Sequence, residues 1–177
     1  MRVKKREFNW DLLRIRKFTE DDAEEVAALI QRNFREVNIK DYGEEAVEEL
    51  CRTHNAAWVI NTASYAHMYL FCLEGRIIGC GSISSYWGRE DESILLTVFV
   101  APQLHGQGIG RKIIETLEND DLYIRARRVE IPASITACEF YRKLGYDYKD
   151  GIRQLDKDNL YRLEKFKISG EGVKGKV

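Results

Sequence analysis

The sequence predicts a mixed α/β (α+β) fold in which a mostly antiparallel sheet of about six or seven strands is flanked by about four helices. The first observation is that segments with apolar residues at every second position alternate with segments whose apolar residues recur at helical spacing. The second is the size of the chain, because 177 residues with 44% hydrophobic content suit one core. We therefore expect an N-terminal extension over residues 1–12, one domain over residues 13–168 and a flexible tail over residues 169–177.

The first part of the domain is predicted to contain one strand and two helices. Apolar and basic residues alternate over residues 13–18, which is typical of a half-buried strand. Thr19 and Asp22 then mark a helix start. The residues that form the apolar face of this helix are Ala23, Val26, Ala27, Ile30 and Phe34. Residues 38–43 break the pattern, and a second amphipathic helix follows around residues 46–51.

The second part of the domain is predicted to supply most of the sheet. A hairpin turn at Glu74 and Gly75 joins the first two of three consecutive strands, so these strands form an antiparallel meander. The three strands cover residues 66–73, 76–86 and 93–100. The elements that follow in chain order are a helix over residues 109–117, a strand near residues 128–132, a helix around Tyr141, and strands near residues 146–149 and 160–166.

A glycine-rich turn lies between the strand that ends at Val100 and the next helix. Its sequence is Val98-Phe-Val-Ala-Pro-Gln-Leu-His-Gly-Gln-Gly-Ile-Gly110. Glycines let the backbone approach a ligand, and the free amides of the first helical turn attract an anion, most often a phosphate. The dinucleotide motif G-x-G-x-x-G does not fit, because its last glycine would fall on Arg111 or Ile113. The P-loop motif does not fit either, because no Gly-Lys-Ser/Thr follows.

The remaining pattern, V-x-P-x-x-[Q/R]-G-x-G-[I/V]-G, resembles the acyl-CoA pyrophosphate loop of the GNAT superfamily of acetyl-CoA-dependent N-acetyltransferases. His105 stands where that family has Gln or Arg. An alternative alignment places the family's Gln on Gln103, followed by Gly106 and Gly108. The alignment with His105 at this position is preferred because it keeps the spacing between Pro102 and the helix. Histidine is only partly charged at neutral pH, so we expect a weak and pH-dependent contribution from this side chain. The alternative is an exposed loop histidine.

A second segment resembles the same family. The run from Ser134 to Tyr146 follows the pattern N-x-x-A-x-x-F-Y-x-x-x-G-[F/Y], with Ser in place of the family's Asn. Ser134 can cap a helix, Gly145 can end it, and the helical spacing places Tyr141 on the inward face. The exchange of Asn for Ser could alter one hydrogen bond near the pantetheine arm. The order of the predicted elements is also that of the family.

The resemblance implies where acetyl-CoA binds. Two strands of the sheet splay apart, and the pantetheine arm lies along the exposed backbone of Val98, Phe99 and Val100. An amide near Val98 or Phe99 polarises the thioester. The residues implied to hold the pyrophosphate, mainly through their backbone, are His105, Gly106, Gln107, Gly108, Ile109, Gly110 and Arg111. Ser134 and Tyr141 complete the implied cofactor site.

The resemblance also implies an acid and a base. Tyr141 would be the general acid that protonates the leaving thiolate, and the alternative is that it only packs against the cofactor. The candidate general base is Glu92, although the usual family glutamate on this strand would fall on Ile94. Glu90, Asp91 and Glu92 could instead form a solvated turn, and Glu130 is a weaker candidate.

The expected function is transfer of an acetyl group from acetyl-CoA to a primary amine of an unidentified small molecule or peptide. The two N-terminal helices and the polar residues 35–42 would border the acceptor pocket. Direct attack in a ternary complex is favoured because no cysteine lies beside a histidine in sequence, while Cys138 near Tyr141 keeps an acyl-enzyme route open. The alternative from another class is a non-catalytic acyl-CoA-binding sensor or regulatory module.

Composition excludes several other partners. Twenty-eight basic residues against 29 acidic residues give a net charge of −1, which favours neither nucleic acid nor a membrane surface. The three histidines lack metal-ligand spacing, so we expect no metal. Four cysteines without a C-x-x-C pair, and an N-terminus without a secretory pattern, favour a reducing cytoplasm. A homodimer through a sheet edge or the last strands stays open.

Overall fold

The computed structural model describes residues 8–167, and every structural statement refers to that range. The predicted tail and the first seven residues of the predicted extension lie outside it. The strands are β1 (Leu13–Lys17), β2 (His67–Leu73), β3 (Arg76–Tyr86), β4 (Arg89–Val100), β5 (Arg128–Ala133), β6 (Asp147–Tyr148) and β7 (Tyr161–Phe166). They form one seven-stranded sheet in the order β1-β2-β3-β4-β5-β7-β6.

The sheet is antiparallel at every pairing except that between β4 and β5, which is parallel. The helices are α1 (Ala23–Asn33), α2 (Ile39–Tyr42), α3 (Glu44–Thr53), α4 (Ala56–Tyr65), α5 (Ile109–Glu118), α6 (Asp121–Arg125) and α7 (Cys138–Arg142). The predicted mixed α/β fold with a mostly antiparallel sheet is therefore confirmed, and the chain has more helical segments than predicted.

Helix α1 agrees with its sequence pattern. Thr19 and Asp22 form the predicted capping box, in which the Thr19 amide donates to the Asp22 carboxylate at 2.8 Å. All five residues of the predicted apolar face are buried against the sheet. The amphipathic pattern is therefore sufficient to define this element.

Two N-terminal predictions were wrong or incomplete. Residues 38–43 do not interrupt the helical region, because a π-helical turn over Phe34–Asn38 leads directly into α2, which ends at Gly43. Helix α4 was not predicted, since the apolar run around Trp58 fits a strand as well as a helix. The Asn55 side chain caps α4 by accepting a hydrogen bond from the Trp58 amide at 3.1 Å.

The parallel pair β4 and β5 stays together only at one end. Glu92–Ile94 pair with Arg128–Glu130, and no further pairs connect the two strands. From Leu95 to Val100, β4 therefore has a free edge on the side that faces β5. The predicted splayed pair of strands is present, and its free edge leaves backbone groups of β4 available to a ligand.

Helix α5 packs close to the sheet at the end of this splayed region. A Cβ atom at Gly81 of β3 would collide with Ile113 of α5, and one at Gly79 would lie 3.2 Å from Ile113. Small residues on the strand thus allow α5 to sit directly on it, with Ile113 and Leu117 fully buried. This packing fixes the start of α5 next to the end of β4. Among residues 8–167, no helix has both the length and the apolar character needed to cross a bilayer.

Candidate active site

A cavity of about 980 Å³ opens where β4 and β5 separate. The predicted cofactor-binding residues that line it are Val98, Phe99, Val100, His105, Gly106, Gly108, Gly110, Arg111, Ser134 and Tyr141. Gln107 and Ile109 do not line it, and Ile109 is buried beneath the loop. One cavity therefore collects the strand, the glycine loop and the Tyr141 segment, which are far apart in the sequence.

Strand β4 contains a bulge in the middle of this cavity wall. The pairing with β3 shifts between Cys80 and Ser82, so Thr97 and Val98 together lie opposite one residue. Thr97 has a φ of 55°, which is a strained conformation for a β-branched residue. A bulge interrupts the ladder of hydrogen bonds, and so it can turn an amide of β4 toward a ligand.

The strained bulge is held by buried hydrogen bonds from β3. Ser82 is fully buried, and its hydroxyl lies 3.1 Å from the Thr97 hydroxyl and 3.0 Å from the Leu96 carbonyl oxygen. The Cys80 thiol donates to the Thr97 carbonyl oxygen at 3.3 Å. Since burial strengthens such contacts and makes their loss costly, the bulge is a fixed feature of the strand.

The glycine loop presents a row of free amides. Gly106 and Gly108 adopt φ values of 76° and 88°, which favour glycine. Lys112 is the first residue of the following helix whose amide has an intrahelical acceptor, the Gly108 carbonyl at 3.1 Å. Within residues 8–167, no acceptor is found for the amides of residues 106–111. Together with the helix dipole, these amides form a site for an anionic group such as a phosphate.

The His105 ring is directed back toward the strand. Its Nε2 atom lies 2.9 Å from the carbonyl oxygen of Val100. A carbonyl can only accept a hydrogen bond, so Nε2 carries the proton of this contact. The side chain thereby links the glycine loop to the end of β4. The ring as a whole is exposed. Its predicted contact with a pyrophosphate stays a prediction.

Tyr141 is buried at the inner end of the cavity. Only 5% of the residue is exposed, and burial raises the pKa of its hydroxyl well above the usual value. No hydrogen-bond partner for this hydroxyl is found among residues 8–167. Ser134 supports the turn before α7, since its hydroxyl accepts a hydrogen bond from the Ala137 amide at 3.3 Å. A protonated phenol that faces the cavity is therefore available to a ligand.

The two candidate bases occupy a different place. Glu92 is buried and ion-paired with Arg128 at 2.9 Å and with Arg89 at 3.0 Å. Glu130 is buried against Arg128 and Lys149. Neither carboxylate lines the cavity. Glu92 and Val98 lie six positions apart along the strand, which corresponds to about 20 Å. The geometry gives both glutamates a role in pairing β4 to β5, and it does not bring them to Tyr141.

The opposite wall of the cavity comes from the N-terminal helices and is largely aromatic. Phe34 packs edge-on against Phe99 of β4, with ring centroids 5.7 Å apart. His54 at the end of α3 lies between Phe34, at 5.0 Å, and Trp58, at 4.3 Å. Tyr65 of α4 also lines this wall. This side combines aromatic and apolar surface with polar groups, among them Asn33, Asn38 and Glu49.

A hydrogen-bonded contact joins the two walls. The Asp41 carboxylate of α2 accepts a hydrogen bond from the Thr136 hydroxyl at 2.7 Å and one from the Thr136 amide at 3.2 Å. Thr136 precedes α7, so this contact ties the N-terminal helices to the segment that carries Tyr141. It closes the cavity on one side.

Three functional candidates were missed by sequence reasoning. Thr97 and Ser82 depend on the register of two strands, which has no local sequence signal. His54 follows no metal-ligand spacing, and no sequence motif marks it as a residue that lies beside aromatic side chains. Among residues 8–167, no three His, Cys, Asp or Glu side chains are grouped closely enough to hold a metal ion.

Comparison with known families gives a match over most of the domain. The model of the acetyltransferase (GNAT) family matches residues 23–146. This range contains the splayed strand, the glycine loop and the Tyr141 helix. No curated protein matches the chain significantly in sequence.

Several solved structures share the fold. The PaiA N-acetyltransferase of Thermoplasma acidophilum, in complex with coenzyme A, superposes with a TM-score of 0.75 at 17% identity, covering 88% of this chain and 99% of its own. A GCN5-related N-acetyltransferase of Rhodopseudomonas palustris gives 0.71 at 23% identity, with coverage of 86% and 94%. An N-acetyltransferase of Staphylococcus aureus Mu50 gives 0.64 at 12% identity, with coverage of 87% and 98%. At these identities the likeness concerns the fold.

Proposed function

Because this chain belongs to the GNAT family of acetyltransferases, we propose that it transfers an acetyl group from acetyl-CoA to a primary amine of a small molecule or peptide. The observation that carries the proposal is the single cavity that joins the free edge of β4, the amides of the glycine loop and the Tyr141 hydroxyl. In this proposal the amine attacks the thioester directly while both substrates are bound.

The cofactor half of the cavity fits the parts of acetyl-CoA. The unsatisfied amides of residues 106–111 suit a pyrophosphate, and the free edge of β4 suits an amide-containing pantetheine arm that pairs like an added strand. The bound coenzyme A of the Thermoplasma PaiA structure supports the same ligand class. Side-chain charge contributes little here, because the donors are mainly backbone groups.

The bulge would supply the electrostatic part of catalysis. Negative charge builds on the thioester oxygen as the amine attacks, and a fixed N–H donor at that oxygen lowers the barrier. We assign this role to the amide of Val98 or Phe99. The hydrogen bonds from Ser82 and Cys80 to the bulge hold the strand in the required shape before substrate binds.

The departing thiolate needs a proton, and Tyr141 is our candidate donor. Burial keeps the phenol protonated throughout the physiological range, and its hydroxyl is free for a ligand within the described residues. The hydrogen bond from Tyr141 to the sulfur would become strongest as negative charge leaves the carbonyl oxygen and builds up on the sulfur. Tyr141 therefore acts in the transition state more than in the ground state.

Direct attack is supported by the position of the cysteines. All four are buried and free, and none of them lines the cavity. Cys138, the nearest to Tyr141 in sequence, directs its thiol to the Tyr148 hydroxyl at 3.6 Å. An acyl-enzyme route would need a cysteine exposed to the thioester.

The test is the release of coenzyme A thiol from acetyl-CoA by the purified chain, measured with a panel of primary amines. The panel contains benzylamine, tyramine, lysine, spermidine and a peptide with a free N-terminus. We expect amine-dependent thiol release together with a product heavier by one acetyl group. Tight acetyl-CoA binding without thiol release for any amine would contradict the enzyme and favour an acyl-CoA sensor.

A further inference from the structure

His54 forms a polarised site on the aromatic wall of the cavity. Its Nδ1 atom lies 2.9 Å from the carbonyl oxygen of Leu50, one turn earlier in α3. Because a carbonyl only accepts hydrogen bonds, Nδ1 must carry a proton. The neighbouring Thr53 hydroxyl, 3.2 Å from Nδ1, is positioned to donate to the Glu49 carbonyl at 2.9 Å. In the neutral ring the other nitrogen, Nε2, is therefore an unprotonated base.

The Nε2 atom of His54 is unpaired within the described part of the chain. Residues 8–167 provide no hydrogen-bond partner for it, and it is not sealed from solvent, since no buried side-chain nitrogen or oxygen lacks a partner in that range. His54 lines the same cavity as Tyr141 and the β4 bulge. The edge of Phe34 and the tilted ring of Trp58 hold the imidazole in place. A base is thus fixed at the wall opposite the cofactor half.

The surroundings of this imidazole favour its neutral form. Partial burial lowers the pKa of His54 below its usual value, and the hydrogen bond to Leu50 opposes part of that change. The titratable side chains that line the same cavity are Glu49 on the same helix, Tyr42 and Tyr65 on the neighbouring helices, and Tyr141, His105, Arg111 and Asp158 across the cavity. None of these contributes to the change in the pKa of His54.

From this geometry we propose that Nε2 of His54 accepts the proton of the acceptor ammonium group before transfer. The inference rests on the proposed function. The ammonium loses one proton to Nε2, and the neutral nitrogen forms a bond to the thioester carbon. The carbon–sulfur bond then breaks, the sulfur takes the Tyr141 proton, and the second amine proton restores the Tyr141 hydroxyl. His54 returns its proton to solvent, so the products are the amide, coenzyme A and one proton.

The aromatic wall also restricts the acceptor. Phe34 and Trp58 flank the His54 ring, and the aromatic carbon body of an acceptor can pack against these side chains. In the amine panel, benzylamine and tyramine should therefore be used more efficiently than lysine or spermidine.

The decisive variant is His54→Asn. The asparagine amide can replace Nδ1 as the donor to Leu50, but it offers no base at the position of Nε2. We expect kcat/KM to fall by about 100-fold with the best panel amine at pH 7, with acetyl-CoA affinity unchanged within about twofold. The deficit should shrink at higher pH. It should also shrink with 2,2,2-trifluoroethylamine, a weakly basic primary amine whose nitrogen is mainly neutral at pH 7. His67→Asn, which changes a histidine bound to Asp120 outside the cavity, is the control.

The outcomes separate the two proposals. A parent protein that uses no amine contradicts the proposed function, and the base role with it. An active parent whose His54→Asn variant is equally active, or loses the same factor with 2,2,2-trifluoroethylamine as with the basic amine, overturns the base role alone. Nitrogen NMR of the parent gives an independent check, because finding the neutral ring protonated at Nε2 would also overturn it.

Discussion

The Ser82 hydroxyl lies 3.1 Å from the Thr97 hydroxyl and thereby connects β3 to the strained bulge of β4. Ser82, one of the two partners in this contact, is fully buried. It links the core of the sheet to the backbone that we assign to thioester polarisation. The bulge is therefore supported from β3 by a side chain that is fully buried.

Replacing Ser82 with Ala should loosen the bulge. Loss of the buried hydroxyl is expected to lower the free energy of unfolding by about 1 kcal/mol. It should lower kcat about tenfold while acetyl-CoA affinity changes little, because the polarising amide is displaced. Denaturant unfolding and thiol-release kinetics measure the two effects. Ser93→Ala, which removes an equally buried hydroxyl bound to the Leu122 carbonyl at 2.7 Å, should reduce stability without reducing kcat.

Replacing Tyr141 with Phe should reduce turnover without unfolding the protein. The hydroxyl has no hydrogen-bond partner in residues 8–167, so the melting temperature should not fall. We expect kcat to decrease about 100-fold with unchanged acetyl-CoA affinity. Tyr146→Phe is the matched control, because that hydroxyl contacts Glu118 at 3.3 Å away from the cavity. Parent-like turnover in Tyr141→Phe would refute the role of the phenol.

A methyl group at Gly108 should weaken cofactor binding. Its φ of 88° disfavours any other residue by about 1–2 kcal/mol, and a Cβ would lie 3.3 Å from the Trp10 ring. The loop would have to shift, so we expect acetyl-CoA affinity to fall at least about tenfold in Gly108→Ala. Gly88→Ala carries similar backbone strain at φ 70° with nothing within 4 Å, and should leave affinity unchanged. Equal losses in both variants would show a general effect of strain.

The ion pair between Arg16 and Asp22 should make the free energy of unfolding decrease in a defined acidic pH range. Two hydrogen bonds of 2.7 Å from the guanidinium lower the pKa of Asp22 from 3.8 to about 2. A carboxyl group whose pKa is lower in the folded state stabilises the fold at pH values above its pKa in the unfolded chain. This contribution disappears as the pH falls from about 4 to about 2.

Asp22→Asn should therefore lower stability at pH 7 by about 1 kcal/mol, since nearly half of the Arg16 side chain is exposed and water screens the pair. The difference from the parent should vanish at the acid end of a pH series of urea unfolding curves. Asp21→Asn, at an exposed neighbouring carboxylate, should match the parent at each pH. A difference that persists at the acid end would contradict the assignment.

Sequence patterns were sufficient for the fold class, and the family resemblance of the glycine loop implied the splayed pair of strands. The apolar stripe of α1 and the glycine spacing reflect local physical constraints. Such constraints are visible in a single sequence. The π-helical turn at Phe34–Asn38 could not be predicted, because the extra residue per turn reflects packing against the rest of the domain.

The sequence predicted less of the candidate site than of the fold. Glu92 lies on the same strand as the cavity residues, and only the pairing of β4 with β5 reveals that Arg128 holds it. His54 and Trp58 approach Phe34 and Phe99 through tertiary packing alone. Backbone motifs thus locate the cofactor half, whereas the acceptor half depends on contacts between distant residues.

Isothermal titration of the purified chain with acetyl-CoA, with coenzyme A, NAD and ATP in parallel, tests the central claim most directly. The free edge of β4 and the glycine-loop amides predict binding of acetyl-CoA and coenzyme A at one site per chain, with NAD and ATP much weaker. Absence of binding by either coenzyme A species, or equal binding of all four ligands, would contradict an acyl-CoA site in this cavity.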